Sequence, residues 1–502
     1  MRLKDCLAIA CALLPLIAGC KDEGTAVNST PTDTGTANFA QYVALGNSLT
    51  AGFQSNALSE RDEVYAYPYQ IAGQIDLPEP GTGHALQKSF ARPDFQQPAF
   101  KDPGIGSRIR LVDLKPTFVI ETGVDPTSPF SNLNVYLPRP YNNLGIPGAL
   151  LYDMMDTTGA SSNFVAKSIA RLNPFFAQIL RSHLYGNSIV AQAKALHPTF
   201  VTVWIGNNDV LGYATSGGTS GSNVGLTDPP RTKPTESSLF DIWYRALIDT
   251  LRSTGAGIVV GNIPDIATIP FFTTLGPQIH AELPAGVYFR YQRNGNTGPS
   301  DPVADTTTLG GASTDPLITL AGSDYASLIG RPTGQWYRDR GYASLPPGID
   351  TTKPFGLHPQ NPWPDALTLD AGELAVAEAA IQAFDASIDS IASNRAIGVM
   401  DAHALLTKVA TEGIYVPELG TFSSQFIVGG AFSYDGVHPS SRGQALIANE
   451  WIRIINRRFS ANIPLVSVPS VPGIPIGKAA PGSHIYPDYG GYSWRDFLDL
   501  MD

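Results

Sequence analysis

Phe39-Ala40-Gln41-Tyr42-Val43-Ala44-Leu45-Gly46 is a short apolar run that ends in glycine, and Asn47-Ser48-Leu49-Thr50-Ala51-Gly52 follows it at once. Such a run, closed by a glycine turn, has the length of a buried strand feeding a loop. Three more segments repeat the theme: residues 199–205 (TFVTVWI) running into Gly206, 257–260 (GIVV) and 396–400 (AIGVM). Helical patterns lie between them. Leu239, Ile242, Ala246 and Leu251 are expected on one helix face. Asp370 and Glu373 have capping-box spacing. Behind them Leu374, Ala377, Ile381, Phe384, Ile388 and Ile391 recur every three or four residues, and Ala445, Ala448, Ile452 and Ile455 repeat the pattern. Short apolar strands alternating with amphipathic helices predict parallel βαβ units, hence an α/β fold with a parallel sheet covered on both faces.

Working outward, the 502 residues suggest two or three domains, or one domain with large insertions. With 43% hydrophobic residues the chain can bury a sizeable core. Its 33 basic against 44 acidic residues give a net charge of -11, which argues against a nucleic-acid partner. Two stretches, about 77–141 and 266–365, break the strand–helix rhythm and are rich in Pro, Gly, Thr and Asp. They are expected to be insertions within one catalytic domain spanning 39–459. The tail, 460–502, is Pro-rich and then aromatic, and is expected to wrap the domain surface; a disordered tail is the alternative.

Cys6, Cys11 and Cys20 are the only cysteines, which excludes a disulfide framework or a Cys-based zinc site in the rest of the chain. Arg2 and Lys4 precede an apolar run of about a dozen residues, too short to cross a bilayer of roughly 30 Å and shaped like a secretory signal peptide. Ile17-Ala18-Gly19-Cys20 resembles a bacterial lipobox. The resemblance implies a signal peptide over 1–19 and a lipid on Cys20, in place of a plain signal peptide with an incidental cysteine. Two or three acyl chains give stable anchoring. Lys21-Asp22-Glu23 looks like a surface-export signal, with a solvated charge cluster as the alternative. Residues 20–38 are otherwise small and polar, a flexible tether. The expected location is the cell envelope of a bacterium, at the outer membrane and possibly on the cell surface.

Three polar clusters carry the chemistry. Ser48 follows the first strand, at the sheet edge where open α/β sheets place ligands; a helix cap is the bland explanation. The segment is not a G-x-S-x-G elbow, because Thr50 stands where the second Gly belongs. Gly206-Asn207-Asn208-Asp209 follows the second strand. Ser433-Tyr434-Asp435-Gly436-Val437-His438-Pro439 precedes the last helix, and an Asp and a His three residues apart can face each other around one turn.

Taken in order, these segments resemble the blocks of the SGNH (GDSL-type) hydrolase family, across roughly residues 39–459. Asn143-Leu144-Gly145-Ile146-Pro147-Gly148 looks like its second block. The segments around 138–143 and 262–265 also resemble a large lipoprotein-type bacterial subgroup. The resemblance implies a flavodoxin-like α/β/α three-layer sandwich that hydrolyses ester, thioester or glycan acyl groups. It assigns Ser48 as nucleophile, His438 as base and Asp435 as the carboxylate that orients the imidazole. The backbone N–H groups of Ser48 and Gly148 and the amide of Asn208 would form the oxyanion hole. Asp209 is expected to tie down its loop. Asn47 departs from the family's usual Asp beside the serine.

The chemistry calls for no metal or cofactor, and no His, Asp or Glu cluster has ligand spacing. The expectation is a membrane-anchored serine ester hydrolase of esterase or lipase type, working through an acyl-enzyme. A carbohydrate acetyl esterase on extracellular glycans and a catalytically silent binding lipoprotein are the alternatives. The partner is a lipid, glycan or small-molecule ester. The wall beside Ser48 separates the two enzymes: a long apolar groove suits aliphatic acyl chains, a shallow polar one suits small acyl groups on sugars. Phe432, Tyr434, Phe271, Phe272 and Trp336 could line it, with core packing the default.

Overall fold

The computed structural model describes residues 32–75, 90–95, 109–111, 118–120, 132, 137–157, 173–221, 233–293, 305–312 and 315–473. The expected signal peptide, Cys20, Lys21-Asp22-Glu23, most of 77–141 and the tail beyond residue 473 lie outside them.

Five strands form the central sheet: β1 Tyr42–Gly46, β2 Asn143–Gly145, β3 Phe200–Trp204, β4 Gly257–Gly261 and β5 Gly398–Met400. All their pairings are parallel, in the order β5-β4-β3-β1-β2. Gly46 pairs with both Trp204 and Gly145, so the C-terminal ends of the three right-hand strands line up on one edge. The expected α/β class and parallel sheet are therefore present. Four of the five strands coincide with the apolar runs. The run at 396–400 starts two residues late as a strand, because Ala396 adopts φ 53° in the turn out of the preceding helix.

β2 has no apolar run behind it. It is a three-residue edge strand, and polar side chains hold it. Asn142 Nδ2 donates to Tyr42 O (2.6 Å) and Asn143 Nδ2 donates to Thr50 O (2.9 Å).

The helices used below are α1 Ser48–Ala51, α2 Tyr67–Gln74, α3 Ile189–Ala195, α4 Asn208–Thr215, α5 Ser237–Arg252, α6 Ala371–Ser393, α7 Ala402–Thr411 and α8 Ser441–Phe459. α2 and α8 pack together. The Tyr67 ring stacks on Trp451 at 5.2 Å, and both meet Trp204 of β3 edge-on. α5 packs against α3 and α6, where Phe240 stacks on Phe384 at 4.0 Å. Burying one such ring contributes roughly 1.5–3 kcal/mol.

α6 begins as its sequence predicts. Asp370 accepts the Glu373 N–H (2.8 Å), and Glu373 accepts the Asp370 N–H (2.9 Å). Its predicted apolar stripe is buried from Ala377 to Ile391.

α5 corrects the expectation. Its buried face is Phe240, Tyr244, Leu247, Ile248 and Leu251, while Ile242 is 57% exposed and Ala246 is exposed. The two candidate faces overlap at Leu251, and the larger aromatic face won the core.

Both chain ends that flank the domain are docked. Residues 32–38, assigned to the tether, pair with the end of α8: Asp33 bridges to Asn462, and Thr36 N donates to Phe459 O (2.8 Å). The tether expectation therefore stops short of residue 32. Past α8, Ile463, Val466, Val468 and Val471 are buried, so the tail wraps the domain at least to residue 473. The stretch after β4 builds a second apolar cluster that includes Leu275, Phe289, Ile318, Trp336 and Trp363.

Candidate active site

Ser48 is the first residue of α1, directly off the C-terminal end of β1. Asn47 caps the helix: its Oδ1 accepts the Leu49 N–H at 3.1 Å. Gly145 of β2 lets α1 sit this close to the sheet, since a Cβ there would come within 2.4 Å of Ala51 N.

The sequence placed Asp435 and His438 387 and 390 residues from Ser48, and the fold closes that gap. Ser48 Oγ lies 2.9 Å from His438 Nε2, and His438 Nδ1 lies 3.0 Å from Asp435 Oδ2. A carboxylate only accepts, so Nδ1 carries the ring hydrogen and Nε2 is left to accept the Ser48 O–H. The Phe53 ring packs against the imidazole at 4.9 Å. Ser48 is 6% exposed and the His438 side chain 12%, so the pair is sheltered yet reachable.

Asp435 is fixed from several sides. Oδ1 accepts the Val437 N–H (2.9 Å), the His438 N–H (2.8 Å) and the Ser433 hydroxyl (3.1 Å); Oδ2 also accepts the Asn56 N–H (3.1 Å). Burial alone would push its carboxyl up. The His438 imidazole and these hydrogen bonds outweigh burial and hold the carboxyl below its ordinary range. Ser433, Ser55 and Asn56 were not singled out from the sequence. Ser55 N donates to Ser433 Oγ (2.9 Å), which ties the loop after α1 to the histidine loop. Nothing in the sequence pattern signals that contact, because the two serines are 378 positions apart.

Gly148 lies past β2 with φ 74°, a conformation that favours glycine, and it is exposed. Among the described residues neither its N–H nor that of Ser48 has an acceptor. Asn208 Nδ2 donates to Ala149 O at 2.9 Å, which joins α4 to the Gly148 turn. Asp209 ties down its surroundings as expected: it accepts the Leu151 N–H (2.9 Å) and the Thr235 hydroxyl (2.7 Å).

A cavity opens beside Ser48 and His438, with about 840 Å³ of empty space counting its mouth. Its walls are overwhelmingly apolar. α7 supplies Leu405, Leu406 and Val409; α8 supplies Leu446 and Ile447. Ile266 and Ile269, at the start of the second long stretch, complete one side. Phe432 lines the cavity, whereas the buried Tyr434 does not, and Phe272 and Trp336 are core residues. Phe271 acts through its backbone, donating its N–H to Gly436 O (2.9 Å) in the histidine loop. Leu405, Leu406 and Val409 were not singled out from the sequence, although their spacing fits one face of a helix.

Among the described residues no group of three or more His, Cys, Asp or Glu could hold a metal ion, and no helix is long and apolar enough to cross a membrane. Comparison of the chain with protein-family models, with curated proteins and with solved structures finds no match.

Proposed function

We propose that this chain is a serine ester hydrolase of SGNH type that cleaves esters of aliphatic acids. The observation that carries the reading is the Ser48–His438–Asp435 relay at hydrogen-bond distances. Two further features support it. The sheet order, numbered along the chain, is 2-1-3-4-5, that of flavodoxin-like doubly wound sheets. The cavity beside the serine is walled almost wholly by apolar side chains, which favours an aliphatic acyl chain over an acetyl group on a sugar.

In this mechanism His438 Nε2 takes the Ser48 proton as Oγ attacks the ester carbonyl. The tetrahedral oxyanion is met by the N–H groups of Ser48 and Gly148 and by the Asn208 amide. Collapse transfers the proton from His438 to the departing alcohol and leaves an acyl-Ser48. Water, deprotonated by the same imidazole, then releases the acid. Asp435 keeps Nδ1 protonated and stabilises the imidazolium without taking its proton. Lipid on Cys20 would hold the enzyme at the outer membrane, with a short polar link before the docked residue 32.

The test is a fluorophosphonate probe together with a p-nitrophenyl ester series from C2 to C12. The reading expects labelling at Ser48, loss of turnover in Ser48→Ala with the fold retained, and a preference for chains longer than acetyl. Unchanged turnover in Ser48→Ala would sink it. A preference for acetylated glycans would replace the acyl assignment with the carbohydrate esterase.

A further inference from the structure

Gln54, Ser55, Asn56 and Ala57 form a tight turn shortly after α1. Gln54 and Ala57 exchange both backbone hydrogen bonds (2.9 and 3.0 Å), and the two residues between them have φ 51° and 59°. This is the left-handed pair that Asn-Gly usually supplies. Without a glycine it is strained, and such strain persists only where the surroundings hold it. Here the histidine loop holds it. Ser55 N donates to Ser433 Oγ (2.9 Å), Tyr434 N donates to Ser55 Oγ (3.2 Å), and Asn56 N donates to Asp435 Oδ2 (3.1 Å). The first of these bonds fixes a proton. The Ser55 N–H can only donate, so the Ser433 oxygen accepts it. The Ser433 hydroxyl hydrogen is left for Asp435 Oδ1, at 3.1 Å. Ser433 is buried, which strengthens that bond.

Resting on the ester-hydrolase reading, we propose that Ser433 is a positioning residue for the reaction. Its hydroxyl, held by the strained turn, tempers the charge of Asp435 and so sets how strongly His438 holds a proton. The hydroxyl hydrogen carries partial positive charge beside the carboxylate that stabilises the His438 imidazolium, and it draws off part of that carboxylate's pull. Without it Asp435 would hold the imidazolium more tightly. The neutral ring that takes the Ser48 proton would then be scarcer at a given pH. Few other charges act here. Among the described residues Asp435 is the one charged partner of His438, and His438 the one charged partner of Asp435. α1 and the turn face the pair with the Ser48 hydroxyl, the Phe53 ring and the Asn56 N–H. The loop itself adds the N–H groups of Val437 and His438.

The experiment uses Ser433→Ala and Ser433→Thr in the full chain. It reads kcat/KM for p-nitrophenyl octanoate and the rate of Ser48 labelling by a fluorophosphonate, each from pH 5 to pH 9. In Ser433→Ala the acid limb of both profiles should move up by about one pH unit. Both rates should therefore fall roughly tenfold at pH 5 and recover at pH 9, where imidazoles are neutral. Ser433→Thr keeps the hydroxyl and should return the limb to its wild-type position. A limb equally displaced in both variants would tie the shift to volume rather than to the hydroxyl, and overturns the proposal. A purely structural role would lower both rates by one factor at every pH. That result, or a limb within about 0.2 units of wild type, also overturns the proposal and leaves the hydrolase reading standing. Should Ser433→Ala fail to fold, Ser433→Cys, a weaker donor, should show a smaller upward shift, and an unmoved limb there is equally fatal. If the wild-type protein neither hydrolyses the ester nor reacts with fluorophosphonate, the hydrolase reading fails and takes the proposal with it.

Discussion

Asp435 grips His438 at two points. Oδ2 meets Nδ1 of the ring at 3.0 Å, and Oδ1 accepts the backbone N–H of the same residue at 2.8 Å. The second bond fixes the backbone from which the imidazole projects, so one carboxylate sets both the tautomer and the aim of the ring. The three-residue spacing makes this possible, because a single turn brings the Asp side chain over the His N–H.

Asp435→Asn should keep the turn and lose the tautomer control. We expect kcat to fall on the order of 10⁴-fold, the scale found when a triad Asp becomes Asn, and Tm at neutral pH to fall as well, because the contribution of the ionised carboxylate is lost. The same variant should change acid unfolding. The folded carboxyl lies below its ordinary range, so its stabilisation is full above an unfolded value of about 3.9 and is lost as pH falls through the folded value. Tm measured from pH 6 down to pH 3 should fall less steeply in Asp435→Asn than in the wild-type protein.

Filling the α7 wall of the cavity should shorten the preferred acyl chain. Leu406 of α7 lines it and is partly buried. In Leu406→Trp the ratio of kcat/KM for C10 to that for C4 p-nitrophenyl esters should drop about tenfold, since each excluded methylene is worth roughly 1–3 kcal/mol. Turnover of the C4 ester should be nearly unchanged. An unaltered ratio would show that the chain binds elsewhere.

Gly145→Ala tests the close approach of α1 to the sheet. The new methyl would come within 2.4 Å of Ala51 N and 2.7 Å of Thr50 C, both backbone atoms. The helix that starts at Ser48 must shift. Overpacking of this kind costs about 1–3 kcal/mol, and a displacement of about 1 Å at the nucleophile lowers kcat on the order of 100-fold. Denaturant titration and steady-state kinetics on the one variant would check both.

Glu373 offers a pH signature away from the site. Burial pushes its carboxyl up to about 8, with Asp365 and Asp370 adding to the rise and the Asp370 N–H opposing it. The folded value is above the unfolded one, so the folded state holds the extra proton. Its contribution is full below about pH 4.3 and is lost as pH rises through about 8. Glu373→Gln keeps an oxygen for the Asp370 N–H. It should be more stable than the wild-type protein at pH 8.5 by ~1–2 kcal/mol, with the gap closing towards pH 5. A constant difference across that range would place the effect elsewhere.

The local signals held where one residue type has one physical use. Asp370 and Glu373 cap α6 as their spacing requires, and the apolar runs before Gly46 and Gly206 are strands. They failed where burial depends on what arrives from elsewhere. Ile242 and Ala246 have the spacing of a core stripe, yet Phe384 of α6 selects Phe240 and leaves Ile242 exposed. β2 is a strand with no apolar run, because asparagine side chains from 142 and 143 hold it beside β1.

By itself the sequence determined the parallel α/β class, and the resemblance of its motif blocks nominated Ser48, Gly148, Asn208, Asp435 and His438 as candidate site residues. Alternating apolar segments and turn-bound polar residues are local properties, and they survive any long-range arrangement. Only the tertiary structure decided that Ser48 meets a histidine 390 residues away, and that α7, α8 and Ile266 close an apolar cavity beside that pair. It also decided that the Asn56 N–H reaches the Asp435 carboxylate. Those facts follow from strand order and from which helix faces share the core, and both are set by competition among segments far apart in the chain.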